Sequence, residues 1–446
     1  MKIEFINIKI QPKVSLPFYL LFFIYNFFFI SISYSQNLLK LEDAVSIGLK
    51  NNYDIQLSKN EFQINKENNT AGNAGMMPNL NLNAGANFAL NNSHIEYASG
   101  SVTDKPSATT RNYSAGLALN WTIFDGFKMF TTKSKLEEIE RGGEIKYRSQ
   151  LQQSIAQIIE AYYEIVRQKQ VLNTIREIIA LSKERMTIGE TRFNAGLSAK
   201  TELLQAQIDF NTQSQNEIQQ VNVIAEAKRK LNQIINREIN EKFEVTDSIA
   251  YSVIDSAYAE SKILESNPSV QYFKKQLEIE KLTVKEYESL NLPYINLSAG
   301  YGLNLAENTT GLIAINRSNG ANVGLNLSYP LFQGGNISRQ IQISELNAYS
   351  IELQLEAQKK QVRSQFLSSL ELFRTNLKML DIENSTRTLA KENLFLALER
   401  LKLAQTTSIE VRDAQLSYEN SLTRLSTIYF NLKLAETQLK LLMGEL

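Results

Sequence analysis

Four short stretches of the chain alternate apolar and polar residues with a period of two. In the first, Leu80, Leu82, Ala84, Ala86 and Phe88 fall on one side, and Asn79, Asn81, Asn83, Gly85 and Asn87 on the other. The second sets Tyr113, Ala115, Leu117, Leu119 and Trp121 opposite Ser114, Gly116, Ala118 and Asn120. The third sets Ile295, Leu297, Ala299, Tyr301 and Leu303 opposite Asn296, Ser298, Gly300, Gly302 and Asn304. The fourth sets Val323, Leu325, Leu327 and Tyr329 opposite Asn322, Gly324, Asn326 and Ser328. This period predicts strands over about residues 79–90, 113–123, 294–305 and 322–331. The polar side is Asn, Ser and Gly with almost no charge, which suits a narrow wet lumen, while the apolar side suits lipid. An amphipathic sheet packed on a soluble core would alternate in the same way. Trp121 and Tyr329 stand at equivalent strand ends, where an interfacial aromatic girdle is expected.

Between the strands the period changes to that of coiled-coil helices. Leu151, Ile155, Ile158, Tyr162, Ile165 and Leu172 form a stripe interrupted at Lys169, and Val362, Phe366, Leu370, Phe373, Leu377 and Leu380 form a second. Long helices are expected over about residues 128–237 and 336–444. They turn back at Asn194–Ser198 and Ala404–Ser408, where Gly196 suits a helix C-cap. About 65 residues at about 1.5 Å rise make a rod near 100 Å long. Shorter helices, about Asn52–Gly75 and Pro268–Leu290, lead into the strands, and residues 238–266 join the halves.

The halves are copies. Pro78–Gly85 resembles Pro293–Gly300 at an offset of 215 residues. Gly116–Gly126 resembles Gly324–Gly334 at 208, and that offset carries Arg192 onto Arg400 and Leu231 onto Leu439. The seven-residue difference falls between Pro78 and Gly116, and the Ser/Thr/Asn-rich segment Asn91–Arg111 reads as the loop that absorbs it. An offset held this long indicates duplication. The first repeat is expected to span 36–237 and the second 267–446, with 238–266 as linker.

The first 35 residues carry Lys2, Lys9 and Lys13, an apolar run from Val14 to Ile32, and a small-x-small site at Ser33–Ser35. This is the pattern of a cleaved signal peptide; the alternative is an uncleaved membrane anchor, since the run is nearly long enough to span, and either way the rest is expected to be exported. Composition then removes several function classes. Lys and Arg total 47 and Asp and Glu total 47, so no general charge attracts nucleic acid. With no cysteine there are no disulfides, thiolate metal sites or thiol nucleophiles. A single histidine, His94, leaves no His metal cluster, and it sits in a polar segment that does not suggest catalysis. No phosphate loop or triad pattern occurs, so no enzyme, cofactor or metal site is expected. Four strands cannot close a membrane barrel, so several copies would have to share one, eight strands from two or twelve from three.

In this setting the chain resembles the TolC-like outer-membrane efflux proteins. The resemblance rests on Leu41–Ala44 with Asn51–Asn52, the Pro-led strands, Trp121–Gly126, and Tyr329–Gly335. It also rests on Gly196–Ser198 with Glu202–Gln207, and on Thr407 with Glu410–Gln415. It covers nearly the whole mature chain. It implies a mainly α fold with transmembrane β structure: a homotrimer sharing a twelve-stranded barrel in the outer membrane, continued by an α-helical tunnel across the periplasm. It implies a passive exit duct for efflux or type I secretion, docked to a periplasmic adaptor protein and an inner-membrane pump. By the same resemblance Glu410 and Asp413 match an acidic ring at the tunnel entrance, and Gly196, Leu197, Ala404 and Gln405 match the adaptor-docking turns. The positions of the family's entrance latch hold Leu401 and Thr406, with Arg400 and Arg412 nearby. The bland alternatives are solvated helix carboxylates and simple capping. An exported coiled-coil scaffold or adhesin without a pore is the competing function. It would need the rods but not four uncharged alternating strands.

Overall fold

A computed structural model describes residues 38–309 and 313–446. The expected signal peptide lies outside the described residues. The chain runs α1 (Leu41–Asn51), α2 (Tyr53–Asn68), β1 (Asn79–Glu96), β2 (Val102–Asp125), α3 (Lys128–Asn194) and α4 (Lys200–Ile234). It continues with α5 (Ser256–Ser266), α6 (Pro268–Glu288), β3 (Tyr294–Asn308), β4 (Ile315–Ser328), α7 (Asn336–Lys402) and α8 (Ser408–Met443). Among the described residues no helix is long and apolar enough to cross a membrane.

The duplication governs the architecture. Helices α3 and α7 each have 67 residues, and the return helices α4 and α8 have 35 and 36. Left-handed backbone recurs at matched positions: Gly126 and Gly334, Phe127 and Gly335, Gly196 and Ala404, Asn236 and Gly444. Gly126 has a further reason to be glycine, because a Cβ there would come within 2.5 Å of the Ser289 carbonyl oxygen. Just before it, the Asp125 carboxylate accepts from the Met129 N–H at 2.9 Å and starts α3 directly from β2.

Residues 256–266, read from sequence as linker, form α5. It is the counterpart of α1: both have 11 residues, and they begin 215 residues apart. The second copy therefore starts with α5, and the joining segment is shorter than expected. It is also ordered by both halves. Phe243, Val245 and Ile249 are buried in the first core, and the Ser252 N–H donates to Glu436 of α8 at 3.1 Å. Lys169 explains the break in the first stripe. It forms ion pairs with Glu244 and Asp247 of this segment at 3.1 and 2.7 Å.

Three clusters make the core. One packs α5, α6, α7 and α8 around Val362, Phe366, Phe373, Leu432 and Leu439. A second packs α1, α3 and α4 around Ile158, Tyr162, Ile165 and Leu231. The third joins the hairpins near their tips, with Ile178 of α3 against Leu398, Leu401, Val411 and Tyr418. The expected stripe residues are thus the packing seams, except that Leu151, Ile155 and Leu377 are only partly buried.

The strands form one antiparallel sheet in the order β1-β2-β3-β4. They are longer at one end than alternation predicts. The expected loop Asn91–Arg111 is mostly ladder, with Ser93 opposite Lys105 and Glu96 opposite Val102, and only residues 97–101 turn. Likewise β4 begins at Ile315 rather than near 322. A ladder needs only backbone groups, so these ends persist where side chains are polar on both faces and the period vanishes. β4 stops at Ser328, two residues before Pro330, which has no backbone N–H to give to a ladder.

Candidate functional site

Register assigns each strand residue to a face. Across the sheet, Leu80, Leu119, Ala299 and Val323 form one row of the apolar face, and Leu82, Leu117, Tyr301 and Ala321 the next. The opposite face carries rows such as Asn83, Gly116, Gly302 and Gly320. The apolar face is open: Leu82 is 74% exposed, Val323 76% and Leu325 68%. The polar face has small uncharged side chains, and at Gly116 a Cβ would come within 2.9 Å of the Tyr301 carbonyl oxygen. Among the described residues β1 pairs only with β2 and β4 only with β3, so each outer strand has an unpaired edge. His94 sits beyond this region, exposed, with its Nδ1 hydrogen-bonded across the hairpin to the Asp104 carboxylate.

At the sheet's helical end Trp121 is part-exposed, and its Nε1 donates to the Met76 carbonyl at 2.9 Å. Tyr329 follows the last residue of β4 and is exposed. Phe127, Phe130, Leu331 and Phe332 lie exposed in the same strand-to-helix turns.

The far ends of the hairpins carry the other candidate residues. Gly196 and Leu197 lie between α3 and α4, and Ala404 and Gln405 between α7 and α8. Leu197 is 64% exposed. The Gly196 N–H bonds to the Phe193 carbonyl at 2.9 Å, and the Ala404 N–H to that of Leu401 at 3.1 Å, so these residues also cap their helices. Thr407 N-caps α8 by accepting from the Glu410 N–H at 3.3 Å. Glu410 is not a free carboxylate. Arg400 pairs with it at 3.0 Å, and the Thr406 hydroxyl donates to its other oxygen. Asp413 is more exposed, with Arg412 Nε 3.9 Å away. Leu401, at one latch position, is buried in the tip core.

Several contacts that tie one hairpin to the other have no periodic signal in the sequence. Lys402 pairs with Glu184 at 3.0 Å. Gln415 Nε2 donates to Ser182 Oγ at 2.9 Å. The Tyr418 hydroxyl donates to Glu177 at 3.0 Å, and burial together with that carboxylate pushes its pKa up to about 12. Glu419 accepts from Gln213, and burial raises its pKa above the usual carboxylate value. Within the first hairpin, Arg185, fully buried in α3, pairs with Asp209 of α4. Burial lowers its pKa despite that partner, and its Nε and Nη1 have no hydrogen-bond partner. A polar residue inside an apolar stripe is the only hint of such pairs, as at Lys169 and Arg185.

A four-stranded sheet with a wet face, a lipid-compatible face and two open edges, extended by helical rods about 100 Å long, defines a channel-forming outer-membrane class. The chain belongs to the outer membrane efflux protein family, whose model matches residues 45–237 and 260–445. It is 21% identical over 429 residues to the outer membrane protein TolC of Salmonella enteritidis, covering 94% of this chain and 84% of that one. It is 23% identical over 318 residues to the alkaline protease secretion protein AprF of Pseudomonas aeruginosa, covering 67% and 64%. Its fold matches the CmeC outer membrane channel of Campylobacter jejuni with a TM-score of 0.77 at 17% identity, covering 91% of this chain and 85% of that one. It matches the MtrE channel of Neisseria gonorrhoeae, solved in an open state, with a TM-score of 0.73 at 14% identity, covering 91% and 89%. The resemblance read from the motifs is thus the family. The chain is an outer-membrane exit duct whose helical part lies in the periplasm.

Proposed function

We propose that three copies of this chain form one duct, fed by an inner-membrane pump through a periplasmic adaptor protein. The observation that carries the assembly is the sheet with two unpaired edges beneath an exposed apolar face. Open edges are not tolerated in lipid, so β4 of one copy must meet β1 of the next. Three copies supply twelve strands. The rods support the same assembly. Leu372, Met379, Ile382, Leu389 and Leu396 form a second, exposed stripe along α7, away from its packed seam. A neighbouring copy would bury it.

In this assembly Trp121 and Tyr329 belong to the girdle at the periplasmic membrane interface. Asp413, with Glu410 beside it, lines the entrance at the tip, where carboxylates favour cations. The turns holding Gly196, Leu197, Ala404 and Gln405 meet the adaptor. The duct is passive, and nucleic acid has no place in it. The test is the protein mass of the detergent-solubilised, processed chain with the detergent contribution subtracted. Three times the protomer mass is expected; a stable monomer overturns the reading.

A further inference from the structure

The apolar face does not remain apolar along its whole height. Its rows end with Ala86, Tyr113, Leu305 and Arg317, then Phe88, Arg111, Glu307 and Ile315. Trp121 and Arg111 are ten residues apart on β2. At about 3.3 Å per residue and a tilt near 40°, that is about 25 Å of height, the thickness of a barrel's apolar band. The two rows therefore stand where the outer-leaflet headgroups begin.

The two arginines here differ. Arg111 lies 3.8 Å from Glu307 and over the Phe88 ring, so its charge is largely answered. Within one protomer Arg317 is exposed, and no carboxylate among the described residues of that copy pairs with it. It lies on the edge strand β4, at the seam where the next copy joins, so the site forms at the rim of that seam. Below Arg317 the surface is a trough lined by Tyr113, Ala115, Leu303, Leu305 and Asn319. Ala115 makes its floor low, because a methyl sits between larger side chains. The Asn319 amide spends one of its two N–H groups on the Tyr301 hydroxyl at 3.1 Å and stands at the trough's edge, where its remaining polar groups face the headgroup side.

We propose that this face holds one outer-leaflet lipid with a phosphorylated headgroup. An acyl chain lies in the trough over Ala115, and Arg317, at the rim, takes the phosphate. An unpaired guanidinium beside an apolar trough at headgroup height is complementary to such a lipid, since arginine binds phosphate through paired N–H groups. The site rests on the barrel placing this face in the membrane.

The test uses the purified full-length channel in detergent, with diphosphoryl lipid A as the probe and native mass spectrometry as the readout. Arg317→Gln is expected to weaken binding about tenfold, and Arg317→Lys much less. Ala115→Leu, which fills the trough while keeping the charge, is expected to weaken it too. Enzymatically dephosphorylated lipid A should bind more weakly than the probe, and excess inorganic phosphate should not displace the probe. Equal binding by wild type, Arg317→Gln and Ala115→Leu overturns the site, and so does displacement by phosphate alone. If Arg317→Gln does not assemble, Ala115→Leu and the dephosphorylated probe decide. A trimer that binds no lipid removes this site and leaves the barrel standing, whereas a monomer removes the barrel itself.

Discussion

Asn52 donates from its side-chain amide to the carbonyl of Ile234 at 2.8 Å, tying the start of α2 to the end of α4. The bond is duplicated: Asn267 donates to the Leu442 carbonyl at 3.0 Å. The donors are 215 residues apart and the acceptors 208, so the bond joins segments on either side of the seven-residue insertion. Each asparagine is also an N-cap. Asn52 accepts from Ile55 N–H, and Asn267 from Ser269 and Val270 N–H. One side chain thus satisfies the orphan groups of two helix ends at once.

Replacing Asn52 or Asn267 by Ala should therefore cost more than an ordinary cap. The cap is worth about 1 kcal/mol, and the carbonyl left without its donor adds about 1–3 kcal/mol. Ser at either position keeps a capping oxygen and adds no charge facing the carbonyl, so it should cost less than Ala. Thermal unfolding of the solubilised channel measures both, and a loss on replacement by Ala no larger than that of an ordinary cap would refute the double role.

Ala404 occupies the left-handed region at φ 57°, where its counterpart Gly196 sits at φ 72°. A non-glycine residue there is strained by about 1–2 kcal/mol. Ala404→Gly should stabilise the tip by about 1 kcal/mol, and Gly196→Ala should destabilise it by a similar amount. Urea unfolding followed at the tip would reveal the opposite signs.

In the proposed entrance the two carboxylates are unequal, because Arg400 pairs with Glu410 at 3.0 Å while Arg412 lies 3.9 Å from the more exposed Asp413. Neutralising both to Ala should reduce cation preference and cation block in planar bilayers. Asp413→Asn alone should account for most of the change, and Glu410→Gln for the smaller part. Selectivity that stays at the wild-type value in the double variant would remove both residues from the pore.

Two carboxylates that hold the joining segment set an acid limit. Burial alone would raise Glu244 and Glu436, yet Lys228 and Lys169 hold the first below the ordinary value of 4.5, and Lys440, Lys433 and the Ser252 N–H do so for the second. A depressed carboxyl contributes stability that is fully present above its unfolded pKa and is lost as pH falls through the folded one. Stability should thus be flat above about pH 4.5 and fall as pH drops below it. Thermal midpoints measured from pH 6 to pH 3 test this, and Glu436→Gln should flatten the decline.

Periodicity made most of the fold legible. The central parts of four strands, the two long helices with their seams, and the duplication all follow from residues that repeat at 2 or 3.5, because burial on one face selects side chains at that spacing. The motifs of the turns carried the family. The strand ends beyond Asn91 and before Asn322 were not legible, since backbone pairing continues there without a buried face to pattern the side chains. Nor was α5, whose sequence reads as linker until it packs as the counterpart of α1. The partners of Lys169, Arg185 and Arg400 belong to tertiary structure alone. A charge in a sequence names no partner, and only the packing of distant segments decides which cations are answered and which stay free.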